Sequence, residues 1–197
     1  MRKSEYYKLI ESIYYTDQNI LLARSFYESV RRRLHRKVRL AYEIGCGYGV
    51  AASFFKEMAI HLVLMDTDPN ALEYVKHKFG NNCSITTSSS IIQSPDLIYF
   101  FMSLHHIEKF HEEVDNAISH IIEHNAMVAI CEMEPDSSTI FHRNEVCPHD
   151  GLKKCEFNWI KRKYPSIEVV YTDLPSIEAY SATFNCYCLI LMSTKES

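Results

Sequence analysis

Glu43-Ile44-Gly45-Cys46-Gly47-Tyr48-Gly49 is the stretch on which the fold turns. The chain has 197 residues and only five glycines, and three of those glycines fall inside these seven positions. Residues 38–44 (VRLAYEI) just before the cluster are a short β-prone run, and residues 50–58 just after it read as helical. A glycine-rich turn between a strand and a helix is where an open α/β sheet docks a nucleotide-like ligand. Glycine has no Cβ, so the backbone can approach such a ligand closely. The N-terminus of the following helix favours a negative group there.

The alternation continues on both sides of this turn. Residues 3–35 carry apolar side chains at helical spacing, with a break expected at Asp17-Gln18-Asn19. Residues 60–65 (IHLVLM) predict a second strand ending at Asp66. Asp68-Pro69 then predicts a helix start, with Asp as N-cap and Pro at the first helical position, and Gly80 is placed to close that helix. Strands are expected near 84–87, 96–102, 126–131, 167–172 and 186–192, and helices over 108–123 and 152–163. Residues 133–150 read as a long polar loop. Strands separated by helices predict a doubly wound α/β sheet with helices on both faces. The expected organisation is one domain over residues 1–197, with N-terminal helices over 1–37 and an α/β core over 38–193.

Hydrophobic residues make up 47% of the chain and charged residues 23%, an ordinary globular balance that excludes a disordered or collagen-like chain. No apolar run is long enough to span a bilayer. The net charge of -4 argues against a general nucleic-acid binder. Six basic residues and no acid fall in 31–39 (RRRLHRKVR), leaving 15 basic residues against 25 acidic ones elsewhere. That stretch is read as a solvated helix end, where the dipole favours cations; phosphates of an RNA or a substrate are the alternative occupant. Seven cysteines, with no apolar signal-type segment at the N-terminus, are read as reduced thiols and a cytoplasmic location. Neither Cys147, His149 and Cys155 nor His105, His106 and His111 has the spacing of structural zinc, so no metal is expected.

Two cofactor classes fit a glycine turn of this type. A dinucleotide fingerprint needs G-x-G-x-x-G, whereas Gly45, Gly47 and Gly49 give G-x-G-x-G with Val at position 50. Asp66, 21 residues after Gly45, can hold ribose hydroxyls in either class. The E-x-G-x-G-x-G motif at 43–49, Asp66, and Ser103-Leu104-His105-His106-Ile107 together resemble the class I S-adenosylmethionine-dependent methyltransferases. Glu134-Pro135-Asp136, Phe141-His142 and His149-Asp150-Gly151 are similar to a series found in small bacterial members that act on small molecules. Two departures stand out. Thr86-Thr87-Ser88-Ser89-Ser90 lacks the acid that usually meets adenine, and Leu152 replaces a phenylalanine.

The resemblance implies a Rossmann-like sheet of seven strands with the last antiparallel, and S-adenosylmethionine as cofactor. It places Gly45, Cys46, Gly47 and Gly49 beneath the cofactor, with Glu43 orienting its methionine end. It gives the ribose to Asp66, the adenine to Thr67 and Ser88, and the sulfonium border to Phe101 and Met102. Methyl transfer needs the acceptor held in line with the leaving sulfur, and needs a base only if the acceptor must lose a proton. His105, His106, His142 and His149 are the candidates for that acid/base work; helix capping, core packing or a solvated loop are the bland readings of the same residues. The expected acceptor is a small molecule. Methylation of RNA or protein through 31–39, an NAD(P) oxidoreductase, and a non-catalytic cofactor-binding domain are the alternatives. The N-terminal helices, with Tyr6, Tyr7, Tyr14 and Tyr15, and loop 133–150 are expected to close the site into a pocket.

Overall fold

The computed structural model describes residues 3–87, 91, 93–134, 152–179 and 182–194. Two helices open the chain, α1 (Lys3–Tyr14) and α2 (Asp17–Arg31). The α-helices and strands that follow are β1 (Val38–Ile44), α3 (Ala52–Phe55), β2 (Ala59–Met65), α4 (Pro69–Phe79), β3 (Cys83–Thr86), β4 (Leu97–Phe101), α5 (Phe110–His124), β5 (Met127–Glu134), α6 (Asn158–Lys163), β6 (Ile167–Ala179) and β7 (Ala182–Ser193), with short 3-10 turns at Gly80–Asn82, Leu104–His106 and Lys154–Phe157. The strands form one sheet in the order β3-β2-β1-β4-β5-β7-β6. β1 to β5 run parallel, and β7 is antiparallel to both its neighbours. This is the expected seven-stranded Rossmann-like sheet.

Alternation along the central strands sends side chains to two apolar layers. Ala41, Leu62, Leu64, Tyr99 and Cys131 pack with Phe26, Phe55 and Val75 beneath α1 to α4. Tyr42, Ile44, Ile98, Phe100 and Ile130 pack with Val114, Ile118, Phe157 and Ile160 beneath α5 and α6. Strands covered on both faces read as nearly continuous apolar runs, which is why β1, β2 and β4 stand out in the sequence.

Local chemistry fixes several boundaries. Asp68 caps α4 by accepting the Asn70 N–H at 2.9 Å, and Pro69 opens that helix, as the sequence predicts. The break between α1 and α2 falls at residues 15–16, two residues earlier than expected. Thr16 is the N-cap, accepting the Asn19 N–H at 3.3 Å, so Asp17-Gln18-Asn19 become the first turn of α2 rather than a break. The helix expected over 50–58 is only Ala52–Phe55. Beyond it the chain tightens, with the Glu57 and Met58 N–H groups donating to the carbonyls three residues back, because β2 begins at Ala59. β6 and β7 are much longer than expected. β6 carries Pro175 across an irregularity between Leu174 and Ile177, and as an edge strand it tolerates a residue with no N–H. The extension brings Leu174, Ile177 and Phe184 onto the N-terminal helix side of the core. Among the described residues, no helix is long and apolar enough to cross a membrane.

Candidate active site

A cavity of about 640 Å³ opens at the carboxyl ends of β1, β2 and β4. Its floor is the glycine turn. The Cys46 N–H donates to the Met65 carbonyl at 2.8 Å, tying the turn to the end of β2. Gly45 has φ +70°, and a Cβ there would sit 2.6 Å from Ser103 Cβ, so only glycine fits beside the turn that follows β4. Ser103 locks the same contact from its side, its Oγ–H donating to the Ile44 carbonyl at 2.8 Å. A Cβ at Gly47 would meet nothing within 4 Å, which leaves that backbone open.

Asp66 forms part of the cavity wall. Its carboxylate accepts the Gly47 N–H at 2.7 Å on one oxygen and the Asp68 N–H at 2.9 Å on the other. Each oxygen has a further lone pair to offer a ligand hydroxyl. Thr67 and Thr87 lie on the same wall.

Glu43 lies behind this floor and does not line the cavity. It is 1% exposed and accepts the Tyr99 O–H on Oε2 at 2.9 Å. Burial pushes its carboxyl up to about 8; the Tyr99 hydrogen bond pulls the other way, and Asp66 adds to the push.

The opposite wall comes from the end of β4 and its turn: Phe101, Met102, Ser103, His106 and Ile107, with Glu113 from α5. Met102 has φ +53°, a conformation rare outside glycine, and turns the chain sharply out of the strand. Its N–H is held by the Cys131 carbonyl at 2.8 Å. The two adjacent histidines part here. His106 is exposed and lines the cavity. His105 is 4% exposed and turns inward, its Nδ1 2.7 Å from Glu132 Oε2. The other oxygen of Glu132 accepts the Leu104 N–H at 2.8 Å.

The N-terminal segment covers part of the opening. Tyr14 and Asn19 line the cavity, as does Tyr48 from the glycine turn. The Tyr15 O–H reaches the carbonyls of Tyr48 and Gly49 at 2.8 and 3.0 Å, and the Tyr6 and Tyr48 hydroxyls are 3.1 Å apart. The Tyr14 and Tyr48 rings lie 4.5 Å apart.

The structure therefore gathers Gly45, Cys46, Gly47, Asp66, Thr67, Phe101, Met102 and His106 around one cavity. Gly49 is not among its walls. Its φ is +73°, and a Cβ there would meet Phe79 at 2.7 Å, so glycine is required where the turn packs on α4. Ser88, His142 and His149 lie outside the described residues. The cavity walls also include Tyr14, from the segment expected to cover the site, Thr87, from the stretch expected near the adenine, and Ser103; Asn19 and Glu113 on the walls, and Tyr99 and Glu132 behind them, are given no site role by the sequence. Among the described residues, no group of three or more His, Cys, Asp or Glu gathers as a metal site.

The donor set suits an adenosine bearing a methionine tail. An open glycine backbone, a carboxylate on the wall for ribose, and apolar walls meet in a space of ordinary ligand size.

Residues 28–153 match the family model described as a methyltransferase domain. None of the curated proteins matches the sequence. Among solved structures, the chain is similar to a SAM-dependent methyltransferase from Aquifex aeolicus, at 14% identity over 98% of this chain and 100% of that one, with a TM-score of 0.65. It is similar to the plantazolicin methyltransferase BpumL, crystallised with a desmethylPZN analogue and SAH, at 15% identity over 97% and 91% of the two chains, with a TM-score of 0.69. It is also similar to the methyltransferase domain of bacterial CtHen1, at 14% identity over 87% and 99%, with a TM-score of 0.62.

Proposed function

The chain belongs to the family of methyltransferase domains, enzymes dependent on S-adenosylmethionine, and from that premise we propose that it methylates a small molecule in the cavity at the carboxyl edge of its sheet. When bound, the cofactor supplies an electrophilic methyl group on a sulfonium. We assign Gly45 and Gly47 to the floor beneath its methionine part and Asp66 to its ribose. Thr67 and Thr87 flank the adenine, and Phe101 and Met102 border the sulfur. Apolar walls there exclude water, which strengthens the remaining electrostatic contacts.

His106 is the acid/base candidate that faces the cavity, where it can take a proton from an acceptor that must lose one. His105 is assigned a supporting role, since Glu132 draws it inward. The reading takes residues 1–197 as one unit whose N-terminal helices roof the site through Tyr14 and Asn19.

The observation that carries the small-molecule reading is the position of the basic stretch. Arg36 and Arg39 pair with Asp96 at 3.7 and 3.5 Å, beside the N-terminal ends of β1 and β4. The cavity is at the opposite ends of those strands, and no residue of 31–39 lines it. A macromolecular substrate held by 31–39 would thus lie across the sheet from the methyl position.

Titration calorimetry with S-adenosylmethionine, its demethylated product and NAD(P) tests the cofactor class. Binding of both sulfur compounds and not of NAD(P) is expected. Tight NAD(P) binding with millimolar or weaker binding of the sulfur compounds would sink the reading. RNA binding that falls steeply with salt, together with methyl transfer to RNA, would overturn the small-molecule acceptor.

A further inference from the structure

Glu43 and Tyr99 are direct register partners on the neighbouring parallel strands β1 and β4. Both are sealed from solvent, Glu43 at 1% and Tyr99 at 0% exposure. The Phe55 ring stacks on the Tyr99 ring with centroids 4.0 Å apart, which fixes the phenol so that its hydroxyl points along the sheet to Glu43 Oε2.

The ionisable groups facing Glu43 are Tyr99 from β4, Asp66 from the end of β2, Cys46 from the glycine turn and Tyr15 from the N-terminal segment. None of them is a cation. Sealed from solvent with no cation facing it, the carboxyl is pushed up to about 8, which favours its protonated form at neutral pH. Yet it stands two residues before Gly45, directly behind the floor of the cavity.

On the reading that S-adenosylmethionine fills that cavity, we propose that Tyr99 is a positioning residue for the cofactor. It holds the Glu43 carboxyl in one orientation, and the proton of that carboxyl leaves as the positive charge of the cofactor arrives. The O–H bond of Glu43 breaks, the proton passes to solvent, and the carboxylate left behind keeps Tyr99 as its donor. Cofactor binding and proton release are one event. The buried acid thus avoids carrying an unpartnered charge in the empty protein and offers one to the cationic ligand.

The experiment is calorimetry of S-adenosylmethionine binding at pH 6.5, run in buffers of different ionisation enthalpy so that released protons are counted. The wild-type chain should release close to one proton per site, and its affinity should rise with pH by up to about tenfold per unit until near pH 8. Glu43→Gln should bind without releasing a proton. Tyr99→Phe should bind about tenfold more weakly and release fewer protons, because the carboxylate in the complex has lost a charge-assisted donor. A packing role for Tyr99 alone would leave the proton count unchanged. Binding with no proton release by the wild-type chain, or with undiminished release by Glu43→Gln, overturns the coupling while the cofactor reading stands. Failure of the wild-type chain to bind S-adenosylmethionine at any pH overturns both. The wild-type count needs no variant, so a misfolded variant leaves the test intact.

Discussion

Glu43 and Glu132 are both sealed inside the sheet, on opposite faces. Glu43 is on β1 beside Tyr99, within the layer under α1 to α4. Glu132 is on β5 beside Tyr187, within the layer under α5 and α6. Glu132 spends each oxygen on a different donor of one turn, the Leu104 N–H and His105 Nδ1. Glu43 has one donor, the Tyr99 O–H on Oε2, and no cation among the groups around it. Burial alone does not decide what a carboxyl does. Partners on both oxygens make Glu132 a structural clamp, whereas the single donor at Glu43 leaves room for a second role.

The largest effect is expected at the clamp. Glu132→Ala leaves the Leu104 N–H and the His105 imidazole buried without their acceptor, and should cost about 3–5 kcal/mol of stability. Denaturant unfolding measures it, and a loss below about 1 kcal/mol would break the contrast.

Next is the pH response of Glu43. Its folded-state pKa is raised, so it favours the native state fully below the ordinary carboxylate range, and that contribution is lost as pH rises toward about 8. Glu43→Gln should therefore gain stability over the wild type as pH goes from 5 to 8, by at most roughly 1.4 kcal/mol per pH unit. Thermal melts of the two ligand-free proteins across that range read it directly, and parallel curves would remove the raised pKa of Glu43.

Asp66→Ala sharpens the comparison from the exposed side of the floor. It should lower affinity for the cofactor at least about tenfold through lost ribose bonds. Part of the loss should appear as lower stability of the empty chain too, because Asp66 holds the Gly47 and Asp68 N–H groups. Unchanged affinity would remove Asp66 from the ribose.

The smallest effect is expected at the roof. Tyr15→Phe removes the hydroxyl that reaches the Tyr48 and Gly49 carbonyls and should cost about 1 kcal/mol. Hydrogen exchange at residues 45–49 should rise with it, and unchanged exchange there would detach the N-terminal segment from the floor.

The parts of the molecule that could be read from sequence are those whose physics is local. The turn at 43–49, Asp66 at the end of its strand, and the Asp68-Pro69 helix start each carry their information within a few neighbouring residues. Tyr99 and Glu132 were missed because their partners are 56 and about 27 residues away, and strand order, not spacing, brings them together. His105 and His106 are adjacent in sequence and look alike, and only the position of Glu132 tells which one turns inward. The four-residue α3 and the long β6–β7 pair differ from expectation because packing, rather than propensity, sets where they stop.

Gly45 and Ser103 meet so closely that Gly45 cannot change while Ser103 keeps its side chain. A methyl group on Gly45 would overlap Ser103 Cβ at 2.6 Å, and a bulkier residue at 103 would press on the glycine turn from the other side. The two sites, 58 positions apart in the chain, are therefore a single heritable unit. Mutational drift in descendants of this gene is expected to pass through position 103 first, trimming serine to alanine or glycine before any side chain can gain a foothold at 45. A library that randomises both positions together should recover only small-small pairs.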